Sequence, residues 1–210
     1  MPMLDYAALR ETPVASDPFP HLVVRRFVPP EELKAVRKDL PRMQRRGSFP
    51  ISALPLGPAA RALVAEMEGP TLRTIIAERF GLDLSDAATM ITLRGQSTER
   101  DGLIHCDSAA KRVTVLLYLN PAQEAWEQHE GCLRLLRGPH SLEDYVVEVP
   151  PVDGTLLVFP NSPNAWHGHK QYLGTRYVLQ LNYMTNDRAA RAELFRHRLS
   201  AFVKRAAAFA

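Results

Sequence analysis

Residues 104–120 read IHCDSAAKRVTVLLYLN, in which His105-Cys106-Asp107 precede an apolar segment over 113–119. Residues 113–119 of this stretch are rich in β-branched, aromatic and other apolar side chains, and an Asn-Pro turn pair follows them, which predicts a β-strand. Just before that strand, His105 and Asp107 are two residues apart, and such residues point to the same side of an extended chain. The stretch therefore predicts a strand whose approach segment presents a histidine and a carboxylate together.

Similar segments surround this strand. Turn residues such as Gly, Pro, Asn and Asp separate them, as expected between short strands. Further strands are predicted over residues 21–27, 88–93, 132–136, 145–149, 155–159 and 176–184. Many short strands at this spacing predict a β-sandwich or barrel.

Helical patterns flank the predicted strands. Residues 1–20 are rich in proline and are expected to be irregular, as are residues 41–57. Helices are predicted from Pro29-Pro30 to about Leu40, over residues 58–80 with a break at Gly69-Pro70, and over the basic residues 188–207. We expect a single mainly β domain with flanking helices (α+β), made of helical support over 1–87, a β core over 88–186 and a C-terminal helix over 187–210.

Composition restricts the class of protein. A chain of 210 residues with 46% hydrophobic and 23% charged residues suits one globular domain. The net charge is +3, but no run of aromatic residues interleaved with basic ones is present, so a nucleic-acid partner is not expected. Two cysteines form no disulfide framework, and neither a signal peptide nor a membrane-length apolar run is present. We expect a cytoplasmic protein without a membrane partner; nothing in the sequence specifies an oligomeric state.

A second histidine completes a candidate metal site. His167 follows His105 and Asp107 by about 60 residues, and two imidazoles with one carboxylate can hold a ferrous ion while leaving positions open for oxygen chemistry. Such ligands must be deprotonated, so metal binding should weaken at low pH. HxD pairs also occur by chance, and His169 is an alternative third ligand because it shares the face of His167.

Arg176 opens the apolar segment 176–181 and is a candidate anion ligand. A buried charge requires a partner, and a guanidinium suits two-point binding of a carboxylate. The alternative is an arginine at a strand end that reaches solvent. Gln180 and Asn182 alternate with Arg176 on one face of the strand, where they would contact either a co-substrate or only neighbouring backbone groups.

Taken in order, these features resemble the iron(II)- and 2-oxoglutarate-dependent dioxygenases, especially the prolyl-hydroxylase-like branch. The resemblance extends over about residues 88–186. It rests on His105-x-Asp107, Leu117-Tyr118-Leu119-Asn120, Trp126 with GCLRL at 131–135, GTLLVF at 154–159, Trp166-His167 and GTRY at 174–177.

The resemblance implies a double-stranded β-helix, or jelly-roll, core that works with Fe(II), 2-oxoglutarate and O2. It implies that His105, Asp107 and His167 are the iron ligands and that Arg176 binds the distal carboxylate of 2-oxoglutarate, with Gln180 as a further co-substrate contact. The expected reaction is hydroxylation of an unidentified primary substrate with release of succinate and CO2. An oxidative nucleic-acid demethylase and a non-catalytic cupin-like binding module are the alternatives.

The sequence departs from the family pattern at two places. Relatives often carry a tyrosine on the strand after the HxD pair, where it also contacts the distal carboxylate. Leu117 is expected at that position here, and the adjacent Tyr118 is expected to face the opposite side. Gly131-Cys132 stands where a Gly-Gly pair is usual.

Overall fold

The computed structural model describes residues 2–43 and 45–208. The helices are α1 (Tyr6–Glu11), α2 (Pro30–Asp39), α3 (Pro58–Met67), α4 (Pro70–Phe80), α5 (Glu124–Glu127) and α6 (Arg188–Ala208), with a 3₁₀ turn at Ile51–Ala53. The strands are β1 (Leu22–Val24), β2 (Ser48–Pro50), β3 (Thr89–Ser97), β4 (Lys111–Tyr118), β5 (Leu133–Leu136), β6 (Tyr145–Val149), β7 (Leu156–Pro160), β8 (His167–His169) and β9 (Gly174–Met184).

The strands form two antiparallel sheets. The larger sheet has the order β1-β7-β4-β9-β3-β2, and the smaller has the order β6-β5-β8. Side chains alternate along β4, since Val115 and Leu117 belong to one hydrophobic cluster whereas Leu116 and Tyr118 belong to another. This alternation separates a helix-covered face of the large sheet from a face that looks toward the small sheet.

The N-terminal helices cover one face of the large sheet. Three of them, α2, α3 and α4, begin with a proline, which suits the first helical turn because its missing N–H has no partner there in any case. Their buried apolar side chains, among them Leu63, Met67 and Ile75, pack in one cluster with Leu117 and Leu179 of the sheet. This packing builds most of the hydrophobic core and holds the large sheet rigid behind the cleft.

The second face of the large sheet packs against the small sheet. Leu116, Phe159 and Val178 of the large sheet share a buried cluster with Leu133 and Leu135 of β5. Within the small sheet, β5 pairs with β8. Helix α6 contacts β2, an edge strand of the large sheet. The space between the sheets contains the candidate site.

Most predicted elements are present, with some corrections. The six strands predicted from residue 88 onward and the break between α3 and α4 are confirmed. The N-terminal residues are less irregular than expected, because the carboxylate of Asp5 accepts a hydrogen bond from the Ala8 amide and caps α1. The expected loop over 41–57 contains β2, whose short segment is a strand only because it pairs with β3.

The first 87 residues also contribute strands to the large sheet. Two strands from the first 87 residues, β1 and β2, form the two edges of the large sheet. The predicted terminal helix is confirmed as α6; residues 209 and 210 of the predicted C-terminal segment lie outside the described residues. In the described part of the chain, no helix is both long and apolar enough to cross a bilayer.

Candidate metal centre

The structure brings His105, Asp107 and His167 together. One ligand atom from each residue lies within 4.8 Å of the other two. His105 and His167 exchange both backbone hydrogen bonds at N–O distances of 3.0 Å, so the segment before β4 is joined to β8. The alternative ligand His169 is not part of this group and lies instead against Gly102.

Both imidazoles are oriented through their Nδ1 atoms. Nδ1 of His105 lies 2.8 Å from the carbonyl oxygen of Leu103, and Nδ1 of His167 lies 2.9 Å from that of Ala165. A carbonyl oxygen only accepts, so each Nδ1 carries a hydrogen, and the neutral form of each ring then offers its Nε2 lone pair to a metal. Burial lowers the pKa of His167, which favours the neutral ring that coordination requires.

The carboxylate of Asp107 is buried and held at both oxygens. Lys111 Nζ lies 2.6 Å from Oδ1, and the Thr114 hydroxyl lies 2.5 Å from Oδ2. Burial by itself raises the pKa of Asp107, but the Lys111 charge and the two hydrogen bonds outweigh it and leave the pKa below its ordinary value. Two neutral imidazoles and an ionised carboxylate are a donor set that suits a divalent transition metal such as Fe(II).

These ligands open into a cleft of about 440 Å³ between the sheets. Arg176, Val178, Gln180 and Asn182 of β9 line it in succession, which confirms the expected alternation along this strand. The Gln180 amide nitrogen lies 3.3 Å from Oδ1 of Asn182. Gln180 therefore contacts a side chain of its own strand as well as the cleft.

Arg176 is a buried cation at one end of the cleft. The residue is 8% exposed, and its Nε donates to the carbonyl oxygen of Gly131 at 2.9 Å. Among the described side chains, no carboxylate lies within ion-pair distance of the guanidinium. Burial lowers the pKa of Arg176, and an anionic ligand would offset this desolvation.

The prediction for Leu117 and Tyr118 was wrong. Leu117 packs among the helix-side residues, whereas Tyr118 faces the cleft, with the Arg176 guanidinium carbon 5.5 Å from the centre of its ring. The Tyr118 hydroxyl is buried beside the Arg176 guanidinium, and among the described residues no group makes a well-aligned hydrogen bond to it. Burial raises the pKa of Tyr118 to about 12, so the group is a neutral donor at ordinary pH.

The alternation of β4 explains this correction. Thr114 bonds Asp107, so every second residue after Thr114, including Leu116 and Tyr118, must share the face of the metal site. The alternation of His105 and Asp107 does not continue into β4, because residues 108–110 lie outside any strand and separate Asp107 from the start of β4. The contacts of Lys111 and Thr114 with Asp107 were likewise not predicted from the sequence.

Comparison with known proteins agrees with this geometry. Residues 95–184 match the sequence model of the 2OG-Fe(II) oxygenase superfamily. No curated protein matches the sequence significantly.

Solved structures show the same fold. A prolyl-4-hydroxylase from Pseudomonas putida is 22% identical with a TM-score of 0.57, covering 79% of this chain and 86% of its own. A prolyl hydroxylase from Trichoplax adhaerens, in complex with a hypoxia inducible factor peptide fragment, is 20% identical with a TM-score of 0.52, covering 82% and 86%. HygX from Streptomyces hygroscopicus, with nickel and 2-oxoglutarate bound, is 16% identical with a TM-score of 0.53, covering 79% and 82%. The mainly β architecture with flanking helices is therefore confirmed, as is the expected resemblance to the prolyl-hydroxylase-like 2OG-Fe(II) oxygenases.

Proposed function

We propose that this chain, an oxidoreductase whose residues 95–184 match the 2OG-Fe(II) oxygenase superfamily and which uses Fe(II), 2-oxoglutarate and O2, hydroxylates a primary substrate with release of succinate and CO2. One observation supports the proposal best. Arg176, a buried arginine with no acidic partner among the described residues, lines the same cleft as three converging metal-ligand side chains.

In this proposal, His105, Asp107 and His167 hold the iron on one face. The Nδ1 hydrogen bonds keep both imidazoles in the tautomer that offers Nε2. The low pKa of Asp107 keeps its carboxylate ionised, so the site has the charge that a divalent ion needs. When bound, the iron supplies the oxygen chemistry, whereas the protein supplies orientation and a cleft of limited size.

Arg176 and Tyr118 would bind the far carboxylate of 2-oxoglutarate. The guanidinium supplies paired donors, and the Tyr118 hydroxyl supplies one more, since no described residue makes a well-aligned hydrogen bond to it. Both groups are buried, so water competes weakly for this carboxylate. Gln180, which lines the same cleft, is proposed as a further polar contact to the co-substrate.

We also propose the finer architecture. The two facing sheets would form the double-stranded β-helix of this superfamily within a single domain. The helices of the first 87 residues would support the large sheet from behind, and α6 would border the cleft beside β2. The primary substrate would enter over β3 and β2, where Ser48 and Thr92 line the cleft.

A co-substrate assay tests the proposal. Purified protein loaded with Fe(II) should convert 2-oxoglutarate to succinate, and Arg176→Ala should raise the KM for 2-oxoglutarate by about a hundredfold, as expected for a lost charge-assisted pair of hydrogen bonds. Arg196→Ala is the matched control, because Arg196 lines the same cleft from an exposed position on α6. An Arg176→Ala enzyme with an unchanged KM, or a wild-type protein without succinate production, would contradict the assignment.

A further inference from the structure

A chain of polar side chains extends from Asp107 across two strands, and its two central members, Thr114 and Asn182, are buried. The Thr114 hydroxyl lies 2.5 Å from Asp107 Oδ2 and 3.2 Å from the Asn182 side-chain oxygen position, which in turn lies 3.3 Å from the Gln180 amide nitrogen. Thr114 of β4 and Asn182 of β9 are direct partners in the sheet register, and each is 1% exposed. We name Asp107, Thr114, Asn182 and Gln180 the carboxylate network.

Proton counting sets the direction of these bonds. A hydroxyl has one hydrogen, and a carboxylate that binds a metal carries no proton and can only accept, so the Thr114 hydrogen goes to Asp107. The Asn182 atom that faces Thr114 must then be a donor, which places the amide nitrogen there after a 180° rotation of the side-chain amide. That nitrogen has two hydrogens, one for Thr114 and one for the Gln180 amide oxygen after the corresponding rotation of Gln180.

We propose that Thr114 and Asn182 are positioning residues for the metal-binding carboxylate. This inference rests on the proposed role of Asp107 as an iron ligand. Asn182 holds the Thr114 hydroxyl in the rotamer that donates to Oδ2, and Thr114 in turn holds the rotation of the carboxylate. Asp107 therefore loses less conformational freedom when a metal binds than an unheld carboxylate would.

The environment makes this network well suited to fix geometry. Both side chains are anchored on neighbouring strands of the rigid large sheet, and their burial excludes water that could replace the hydrogen bonds. Lys111 also contacts Asp107, but through the other oxygen and from a long flexible stem. Of these two contacts to Asp107, the one from Thr114 is the one held by a further hydrogen bond to a second strand, through Asn182 of β9.

Metal affinity is the direct test, and Mn(II) binding followed by electron paramagnetic resonance is a readout that needs no turnover. Thr114→Val preserves side-chain shape but removes the donor, and we expect Mn(II) to bind about 10- to 100-fold more weakly. Thr114→Ser restores the hydroxyl and should return affinity to near the wild-type value. Thr92→Val is the control, since Thr92 is 7% exposed, lines the same cleft and sits beside Gln180 in the sheet register.

A double-mutant cycle separates positioning from general packing. Asn182→Leu should weaken Mn(II) binding by less than Thr114→Val does, and the double variant should match Thr114→Val alone, because Asn182 acts only through the Thr114 hydroxyl. The KM for 2-oxoglutarate at saturating Fe(II) should stay at the wild-type value in Thr114→Val, because Thr114 contacts Asp107 and Asn182 rather than the proposed co-substrate ligands. Should Thr114→Val fail to fold, Thr114→Ser and Asn182→Leu still give opposite expectations, namely retained and weakened affinity.

The outcomes distinguish this inference from the proposed function. Mn(II) affinity of Thr114→Val equal to that of Thr92→Val, or additive effects in the cycle, would overturn the positioning role while wild-type turnover of 2-oxoglutarate still supported the oxygenase assignment. A wild-type protein that binds no Mn(II) would overturn both.

Discussion

At the scale of single residues, the tautomer and the charge of each candidate metal ligand depend on the groups that form hydrogen bonds with it. His105 and His167 each use a backbone carbonyl two residues earlier to set the tautomer. Asp107 remains ionised although it is buried, because Lys111 and Thr114 bond its two oxygens. The residue types and their spacing identified the candidate ligands. The ionisation of Asp107 and the tautomers of the imidazoles depend on neighbouring groups, which the spacing does not reveal.

Tyr118 gives a prediction at this scale. Tyr118→Phe should raise the KM for 2-oxoglutarate about tenfold, because one hydrogen bond to a charged carboxylate is lost. Stability should change little, since the hydroxyl has no hydrogen-bond partner among the described residues. Tyr183→Phe is the matched control, because the Tyr183 hydroxyl is also buried without such a partner but belongs to the helix-side cluster. Equal KM values for the two variants, measured by succinate formation, would exclude the proposed contact.

At the scale of elements, β4 has one face in the hydrophobic core and the other in the cleft that contains the candidate metal ligands. Its odd-numbered side chains from Val113 to Leu117 pack against the helices, and its even-numbered ones from Thr114 to Tyr118 face the cleft. A shift of one residue in its pairing would exchange the two sets, so the register with β7 and β9 determines which residues can act.

Leu117→Ala tests that assignment of faces. Leu117 is fully buried, so its truncation should lower the free energy of unfolding by about 2–4 kcal/mol through lost burial and a residual cavity. The KM for 2-oxoglutarate should remain at the wild-type value, because the side chain lies behind the sheet. Urea unfolding and steady-state assays of the same preparation check both parts; a large change in KM without destabilisation would show that Leu117 faces the cleft.

At the scale of the whole molecule, the N-terminal helices and the β core behave as one packed unit. Arg37 of α2 donates through Nε to the Leu119 carbonyl oxygen at 2.6 Å and pairs with Asp153 at 3.0 Å. The same side chain also donates to the carbonyl oxygen of Asn120. These bonds, together with the large shared hydrophobic cluster, join the first part of the chain to the turn after β4.

We therefore expect one cooperative unfolding transition. Fluorescence of Trp126 and Trp166, both in the second half of the chain, should report the same urea midpoint as far-UV circular dichroism. Arg37→Leu should lower the free energy of unfolding by about 1–3 kcal/mol because the carbonyl oxygen of Leu119 loses its donor, and it should move both midpoints together. Arg10→Leu, on an exposed position of α1, is the control; two separate transitions would mean that the helices form an independent unit.

The sequence by itself determined the elements and the chemistry class. Period-two apolar patterns and turn residues predicted the main strands, prolines and glycines marked the ends of α3 and α4, and the residue types at 105, 107, 167 and 176 indicated an iron-dependent oxygenase. The strand and helix patterns are local, so a single chain segment carries enough information to predict them, whereas the four site residues lie in separate segments and were linked by the resemblance to a family pattern.

Only the tertiary structure decided the partners of each side chain. Whether Leu117 or Tyr118 faces the cleft depends on the register of β4 against β7 and β9, and that register is set by packing across the whole sheet. Likewise, Thr114 meets Asn182 although 68 residues separate them. Contacts between distant segments depend on how the sheets pair, and no local pattern in the chain specifies that pairing.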